Sequence, residues 1–269
     1  VSFEPKGNTA DSETFLDICM LASGSKGNAL YVSDGSTSIL VDAGLSGIET
    51  ERRMNAVGIS PEDLDAIVVS HEHSDHIHGV GVLSRRYRLP VYINTKTEKA
   101  SPQVGRMHAR RHFRCGSPFK IKALTIHPFS LSHDAKDPVG FTIRRNHIKI
   151  GVATDLGIAT SVVKTHLKDC GLLVVEANHD PVMLENGPYP WPLKQRIKSR
   201  AGHLSNQDSK RLLQELLHDR LQYIILAHLS EKNNTPEKAL NEIGPALNNN
   251  RARLTVADQH RCGPLLRLK

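Results

Sequence analysis

The residues able to do chemistry are concentrated in one place. "VVSHEHSDHIHGV", Val68 to Val80, runs an apolar, β-branched stretch straight into clustered histidines and carboxylates. Buried imidazoles crowded together disfavour one another's protonation, so such a cluster is costly unless a cation lies between them. Neutral imidazole and carboxylate are ligands for zinc, manganese or iron. In an extended segment, residues two apart point the same way, so His71 and His73 can grip one ion. Beyond the turn, Asp75 and His76 can face a second. The pattern recurs downstream, where "IKIGVATD" ends an apolar run in Asp155 and "YIILAHLS" ends one at His228. Strand ends meeting at one rim are rigid positions on which a site can be held.

The elements that must position these residues are legible as strand-like runs rich in Val and Ile, bounded by Gly, Asp, Asn or Ser. They are "ALYVS", "TSILVDAG", "DAIVVS", "PVYINT", "GFTIRR", "HIKIGVATD", "GLLVVEAN" and "QYIILAHLS". Asp34-Gly35 supplies the tight turn of a hairpin between the first two. Ser205 can cap a helix through "SNQDSKRLLQELLHDR", Thr235-Pro236 opens another, and a third runs through "GIETERRMNAVG". Strands dominate the first half and alternate with helices later, as in sheets covered by helices. Residues 15–269 read as one domain, with 1–14 a loose polar leader. The four scattered cysteines read as small buried hydrophobes, not as disulfides or a zinc knuckle. No apolar run approaches the roughly 18 residues of a bilayer span, so no membrane partner is expected and the cytoplasm is the default location. The net charge of +7 suggests an anionic partner, and nucleic acid is the commonest.

HxHxDH after a buried strand resembles the signature of the metallo-β-lactamase superfamily, and counterparts of that superfamily's later motifs follow in order from about Ile18 to the C-terminus. The resemblance implies an α/β fold of αββα type, two mixed β-sheets packed face to face with helices on the outer faces. It also implies that His133 in "SLSHDAKDPVGF" completes a metal site with His71 and His73. Asp155 then bridges two metals, and His228 joins Asp75 and His76. Two divalent ions, zinc or manganese with iron as a further option, are the implied cofactors, about 3.5–4 Å apart. Glu72 and His78 are left to the surface or to supporting roles. Asp134 is either a partner of a ligand or an ordinary loop carboxylate. His127, His147, His166 and His218 fit no motif.

Superfamily members split lactams, thioesters, lactones and phosphodiesters, so the fold does not name the substrate. Three features favour phosphodiesters. "GHLSN" sets His203 ahead of "AHLS". The superfamily's tRNA-processing phosphodiesterases carry a similar histidine that assists at the scissile phosphate, held by an acidic residue, and Glu176 in "LLVVEANHD" stands in the matching place. The proline-rich "NGPYPWPLKQRIKSR" puts Tyr189 and Trp191 beside Lys194, Arg196 and the cations after them, types suited to stacking on bases and pairing with phosphates. The basic clusters "GRMHARRHFR" and "IRRNHIK" suit phosphates regardless of sequence. "ASGSKGN" lacks the ending of a phosphate loop and opens no helix. Family comparison implies there a glycine turn near the metals, with Ser25 and Asn28 touching substrate, and Asn233 in "AHLSEKNN" joins them. Taken together the motifs are similar to the YycJ-type branch of small stand-alone DNA exonucleases. The chain between Asp155 and His228 is too short for the extra domain of the β-CASP nucleases, and that between His133 and Asp155 too short for a tRNA-gripping arm.

The expectation is a dinuclear metal-dependent phosphodiester hydrolase, a DNA exonuclease before an RNA one. In it a metal-activated hydroxide attacks phosphorus in line, while His203, oriented by Glu176, stabilises the transition state or protonates the leaving oxygen. Asp75 is expected as a ligand within the catalytic set. Two alternatives stand: a small-molecule or cyclic phosphodiesterase, or other hydrolase of this fold, and a metal-bearing nucleic-acid-binding module without turnover.

Overall fold

Every apolar run named above becomes a strand in the computed structural model, which describes residues 14–247 and 250–269. The first sheet takes β1 (Leu16–Ala22), β2 (Ala29–Ser33), β3 (Ser38–Val41), β4 (Ala66–Val68), β5 (Pro90–Asn94) and β6 (Ala109–Phe113) in chain order. The second takes β7 (Phe119–Ile121), β8 (Leu124–Ser130), β9 (Val139–Arg145), β10 (Ile148–Ala153), β11 (Leu172–Glu176), β12 (Tyr223–Ala227) and β13 (Arg253–Val256). The last strand, β14 (Leu266–Leu268), returns to pair antiparallel with β1. Both seven-stranded sheets are mixed. β1–β3 and β7–β10 are antiparallel, whereas β3–β6 and β10–β13 are parallel.

Alternation along the strands builds the layers. In β12, Ile225 and Ala227 enter the core between the sheets, while Ile224 and Leu226 face outward into a helix layer. On the first sheet Met54, Val80 and Leu83 of helices Gly47–Ala56 and Val80–Arg86 cover Leu40, Ile67 and Val91. On the second, helices Ser161–Leu167, Asn206–Leu216 and Pro236–Ile243 do the same through Val163, Leu212, Leu213 and Ile243. Each fully buried aliphatic side chain contributes about 1.5–3 kcal/mol relative to exposure, which makes the four-layer αββα sandwich the favoured packing. In β11 the inward residues are Leu172 and Val174, so the next inward position, Glu176, delivers a carboxylate to the rim between the sheets.

The structure departs from the sequence reading in three places. "ARRHF" forms β6, an edge strand whose exposed arginines discourage pairing with another chain. The proline-rich stretch folds as helix Trp191–Lys198, since Pro192 lies in the first turn, where a missing N–H costs nothing. Beside the expected helix Gly47–Ala56, the first half also carries helices Val80–Arg86 and Thr95–Ala100. The expected leader, apart from Thr14, lies outside the described residues. Among the described residues no helix is long and apolar enough to cross a membrane. The four cysteines are free, and burial pushes the Cys19 and Cys170 thiols up to about 12.

Candidate metal centre

After β4 the chain crosses the rim, and His73 starts a single helical turn, Ser74–Ile77. Asp75 and His76 therefore sit on a turn of helix, held from below by the segment that follows β3. There Ala43 N donates to His76 O and Gly79 N to Ala43 O, while Asn28 N donates to Asp75 O at 2.7 Å. Gly44 is required at this crossing, because a Cβ on it would meet Asp75 O at 1.6 Å. Three residues just past strand ends, Asp42, Asp155 and His228, adopt left-handed backbone (φ 61°, 62° and 56°). Non-glycine residues rarely take this conformation, and it turns these side chains onto the rim.

Two groups of donors result. In the first, His71 Nε2 and His133 Nε2 lie 3.1 and 3.2 Å from His73 Nδ1. In the second, His76 Nε2 and His228 Nε2 each lie 3.6 Å from Asp75 Oδ2. Asp155 stands between them, with Oδ2 3.1 Å from His76 Nε2 and Oδ1 3.8 Å from His133 Nε2. Within each group the donor atoms lie within 4.8 Å of one another, and His71, His76 and Asp155 form a further such set.

The partners behind the rings set which nitrogen faces inward. His133 Nδ1 donates to Gly202 O at 3.1 Å, His76 Nδ1 to Asp42 Oδ2 at 2.7 Å, and His228 Nδ1 to Glu176 Oε1 at 2.8 Å. Ser70 Oγ donates to Asp42 Oδ2, which leaves it to accept from His71 Nδ1 at 2.9 Å. Each of these rings thus turns Nε2 toward its neighbours. His228 Nε2 and Asp155 Oδ2 are buried without a hydrogen-bond partner. Converging imidazole nitrogens and carboxylate oxygens, two of them buried without a partner, fit the binding of divalent metal. Burial works against charge on His76 and His228, yet the neighbouring carboxylates, Asp155 first, hold both well above the usual imidazole range. Burial would raise Asp155, but His228 and His76 keep it well below the carboxylate range. Burial pushes His71 and His133 down.

Residues 37–225 match the beta-lactamase superfamily domain. The chain belongs to the beta-lactamase superfamily. It is 39% identical over 235 residues to exodeoxyribonuclease YycJ of Bacillus anthracis, covering 86% of this chain and 89% of that one. It is 40% identical over 233 residues to exodeoxyribonuclease WalJ of Streptococcus pneumoniae, covering 85% and 87%. The metallo-beta-lactamase fold protein YhfI from Bacillus subtilis shares the fold at a TM-score of 0.72 and 17% identity, covering 93% of this chain and 99% of that one. Membership makes the chain a metal-dependent hydrolase, and the αββα sandwich is the superfamily's fold.

Beside the donors this superfamily hydrolase has a cleft of about 190 Å³ lined by His203, His228, Tyr189, Arg196 and Ser25 among others. His203 Nδ1 donates to Glu176 Oε1 at 2.8 Å, the same oxygen that holds His228. Glu176 Oε2 accepts from Leu156 N and Leu204 N, both at 3.0 Å. Burial raises a carboxyl pKa, but His203 and His228 bring Glu176 to about 2. Burial disfavours charge on His203, and Glu176 outweighs it, holding His203 above the usual range. Arg196 Nε donates to Asp134 Oδ2 at 2.5 Å. Trp191 and Lys194 do not line the cleft. Trp191 is exposed on its helix, and Lys194 Nζ donates to Glu185 O. Asn28 is buried beneath Asp75, its Nδ2 within 3.2 Å of Asp75 Oδ2 and its Oδ1 accepting from Gly24 N. Asn233 is fully buried, bonded to Ser230 and away from the cleft.

Asp42, the carboxylate behind His76, belongs to no motif named from the sequence. Its signal was present, because "SILVD" ends an apolar strand in a carboxylate just as "IKIGVATD" does.

Proposed function

We propose that this hydrolase cleaves phosphodiester bonds of nucleic acid, DNA first, as an exonuclease, with residues 15–269 as its catalytic domain. His71, His73 and His133 would hold one divalent cation and Asp75, His76 and His228 a second, with Asp155 shared between them. Zinc or manganese suits this donor set, with iron also compatible. Cations held there supply Lewis acidity, easing deprotonation of water and offsetting charge on the phosphate oxygens. The chain's residues do the rest. Glu176 fixes the His203 ring through Nδ1, so Nε2 is the atom that carries a proton toward the cleft. Water adds to phosphorus, the ester P–O bond opposite it breaks, and His203 Nε2 delivers its proton to the departing oxygen. Arg196, Tyr189 and Ser25 border the cleft, where a phosphate and a base would lie.

One observation carries this reading: a cleft histidine backed by a buried carboxylate that also backs a donor of the metal centre. The names of the two exodeoxyribonuclease relatives support the choice of DNA. The small volume of the cleft also favours a second reading, a phosphodiesterase of small or cyclic substrates. Digestion of end-labelled single- and double-stranded DNA and RNA, beside a cyclic nucleotide, with Mn²⁺ and Zn²⁺ compared, separates the two. His203→Ala should keep its metal and lose about 10²–10⁴-fold in turnover. Undiminished turnover would remove His203 from the mechanism.

A further inference from the structure

A second cavity, about 450 Å³, is lined by Arg200 and Leu204, which flank His203 in the chain. It is bounded by residues 157–159, just past Asp155, by the end of helix Trp191–Lys198, and by helices Ser161–Leu167 and Asn206–Leu216. Ile158, Ala159, Leu204 and Leu212 give it apolar walls. Around them stand Lys164, Lys198, Arg200 and Arg211, against only Asp208 and Glu215. Three of these cations are neutralised: Lys164 pairs with Glu215 at 2.6 Å, Arg211 with Asp208 at 3.1 Å, and Lys198 with Glu185. The Arg200 guanidinium has no carboxylate partner among the described residues, although its backbone is fixed. Arg200 O accepts from Ser132 Oγ at 2.7 Å, and Gly157 packs so closely that a Cβ there would come within 2.4 Å of the Arg200 carbonyl. Arg200 and His203 are three positions apart in the chain, so their Cα atoms are at most about 11 Å apart. A nucleic-acid strand presents a phosphate at intervals of about 3.4 Å or more per nucleotide, so one bound at His203 reaches this cavity within a few nucleotides.

We propose that the cavity is a subsite for a backbone phosphate of the nucleic-acid strand a few nucleotides from the scissile bond. Arg200 pairs with the phosphate, and the apolar walls receive the adjoining sugar or base. The occupant's chemistry rests on the phosphodiesterase reading, and the subsite adds strand-length dependence to it. The site is tested on the metal-loaded protein with Arg200→Glu and the milder Arg200→Gln. Fluorescence polarisation of a labelled oligothymidylate should show binding about tenfold weaker in Arg200→Glu, with the slope of log affinity against log salt reduced by about 1. The ratio of kcat/KM on a longer oligothymidylate to that on bis-p-nitrophenyl phosphate should fall by a similar factor, and less on a dinucleotide. Unchanged affinity and salt slope would overturn the subsite. Inorganic phosphate competing as well as the oligonucleotide would reduce it to an isolated anion site and overturn the strand assignment. A wild-type protein that binds the oligonucleotide but hydrolyses no diester would instead sink the phosphodiesterase reading, leaving Arg200 to be judged by binding alone.

Discussion

The two groups of donors in the candidate metal centre are backed in different ways. The half built on His71, His73 and His133 leans on neutral partners, the Ser70 hydroxyl and the Gly202 carbonyl. The half built on Asp75, His76 and His228 leans on two buried carboxylates, Asp42 and Glu176. The same imidazole chemistry is pushed opposite ways: burial takes His71 and His133 below the usual range, while carboxylates, Asp155 first and Asp42 and Glu176 behind it, hold His76 and His228 above it. A carboxylate behind a ring raises its basicity and fixes its orientation. The two halves should accordingly differ in their hold on a cation and in the protons they release on binding.

The largest effect should come from the residue common to both halves. Asp155→Asn is expected to cut hydrolysis of bis-p-nitrophenyl phosphate by roughly 10³-fold or more and to lower the metal content measured by elemental analysis; full occupancy of both sites would show the halves to be independent of it. Next comes Asp42→Asn. It should weaken cation binding on the His76 side by about 10–100-fold while sparing the other side, so that chelator titration resolves two steps. A single step shifted as a whole would erase the contrast between the halves.

The smallest effect is thermal and belongs to the chelated protein. Histidines with raised pKa add stability that is complete below their unfolded value, near 6.5, and is lost as pH rises toward and through the folded value. His76 and His228 act this way. His71 and His133, whose pKa is lowered, cost stability as pH falls below about 6.5. The melting temperature of the chelated protein should therefore decline on the alkaline side, by calorimetry, and Asp42→Asn should flatten that limb. An alkaline limb equally steep in the variant would assign it elsewhere.

The same contrast marks what could be read from the chain. The His71–His76 run is local, so its chemistry is visible in a single stretch of sequence. The residues from the second sheet arrive singly, at the ends of β10, β11 and β12 and after β8, and neither spacing nor composition links them. For Asp155 and His228 the abrupt end of an apolar run gave a signal, and for His133, His203 and Glu176 the family resemblance was needed. Asn28 and Asn233 show the limit of motif reading. Each sits within a motif but is buried: Asn28 bonds Gly24 and Asp75, and Asn233 lies at 0% exposure against Ser230. Helix Trp191–Lys198 was hidden because prolines read as loop until their place in the first turn is known. The fold was the more legible part, since its alternating strands state their buried faces residue by residue.

The twisted backbone at Asp42, Asp155 and His228 carries a cost. Glycine would relax any of these corners, and at position 228 it would abolish a donor while relieving the most awkward of the three, a histidine. His228→Gly, freed of metal, relieves that corner but strips buried Asp155 and Glu176 of the charge that faces them, so it should melt below the chelated parent. The ion pairs of the histidine thus offset at this corner what its backbone costs.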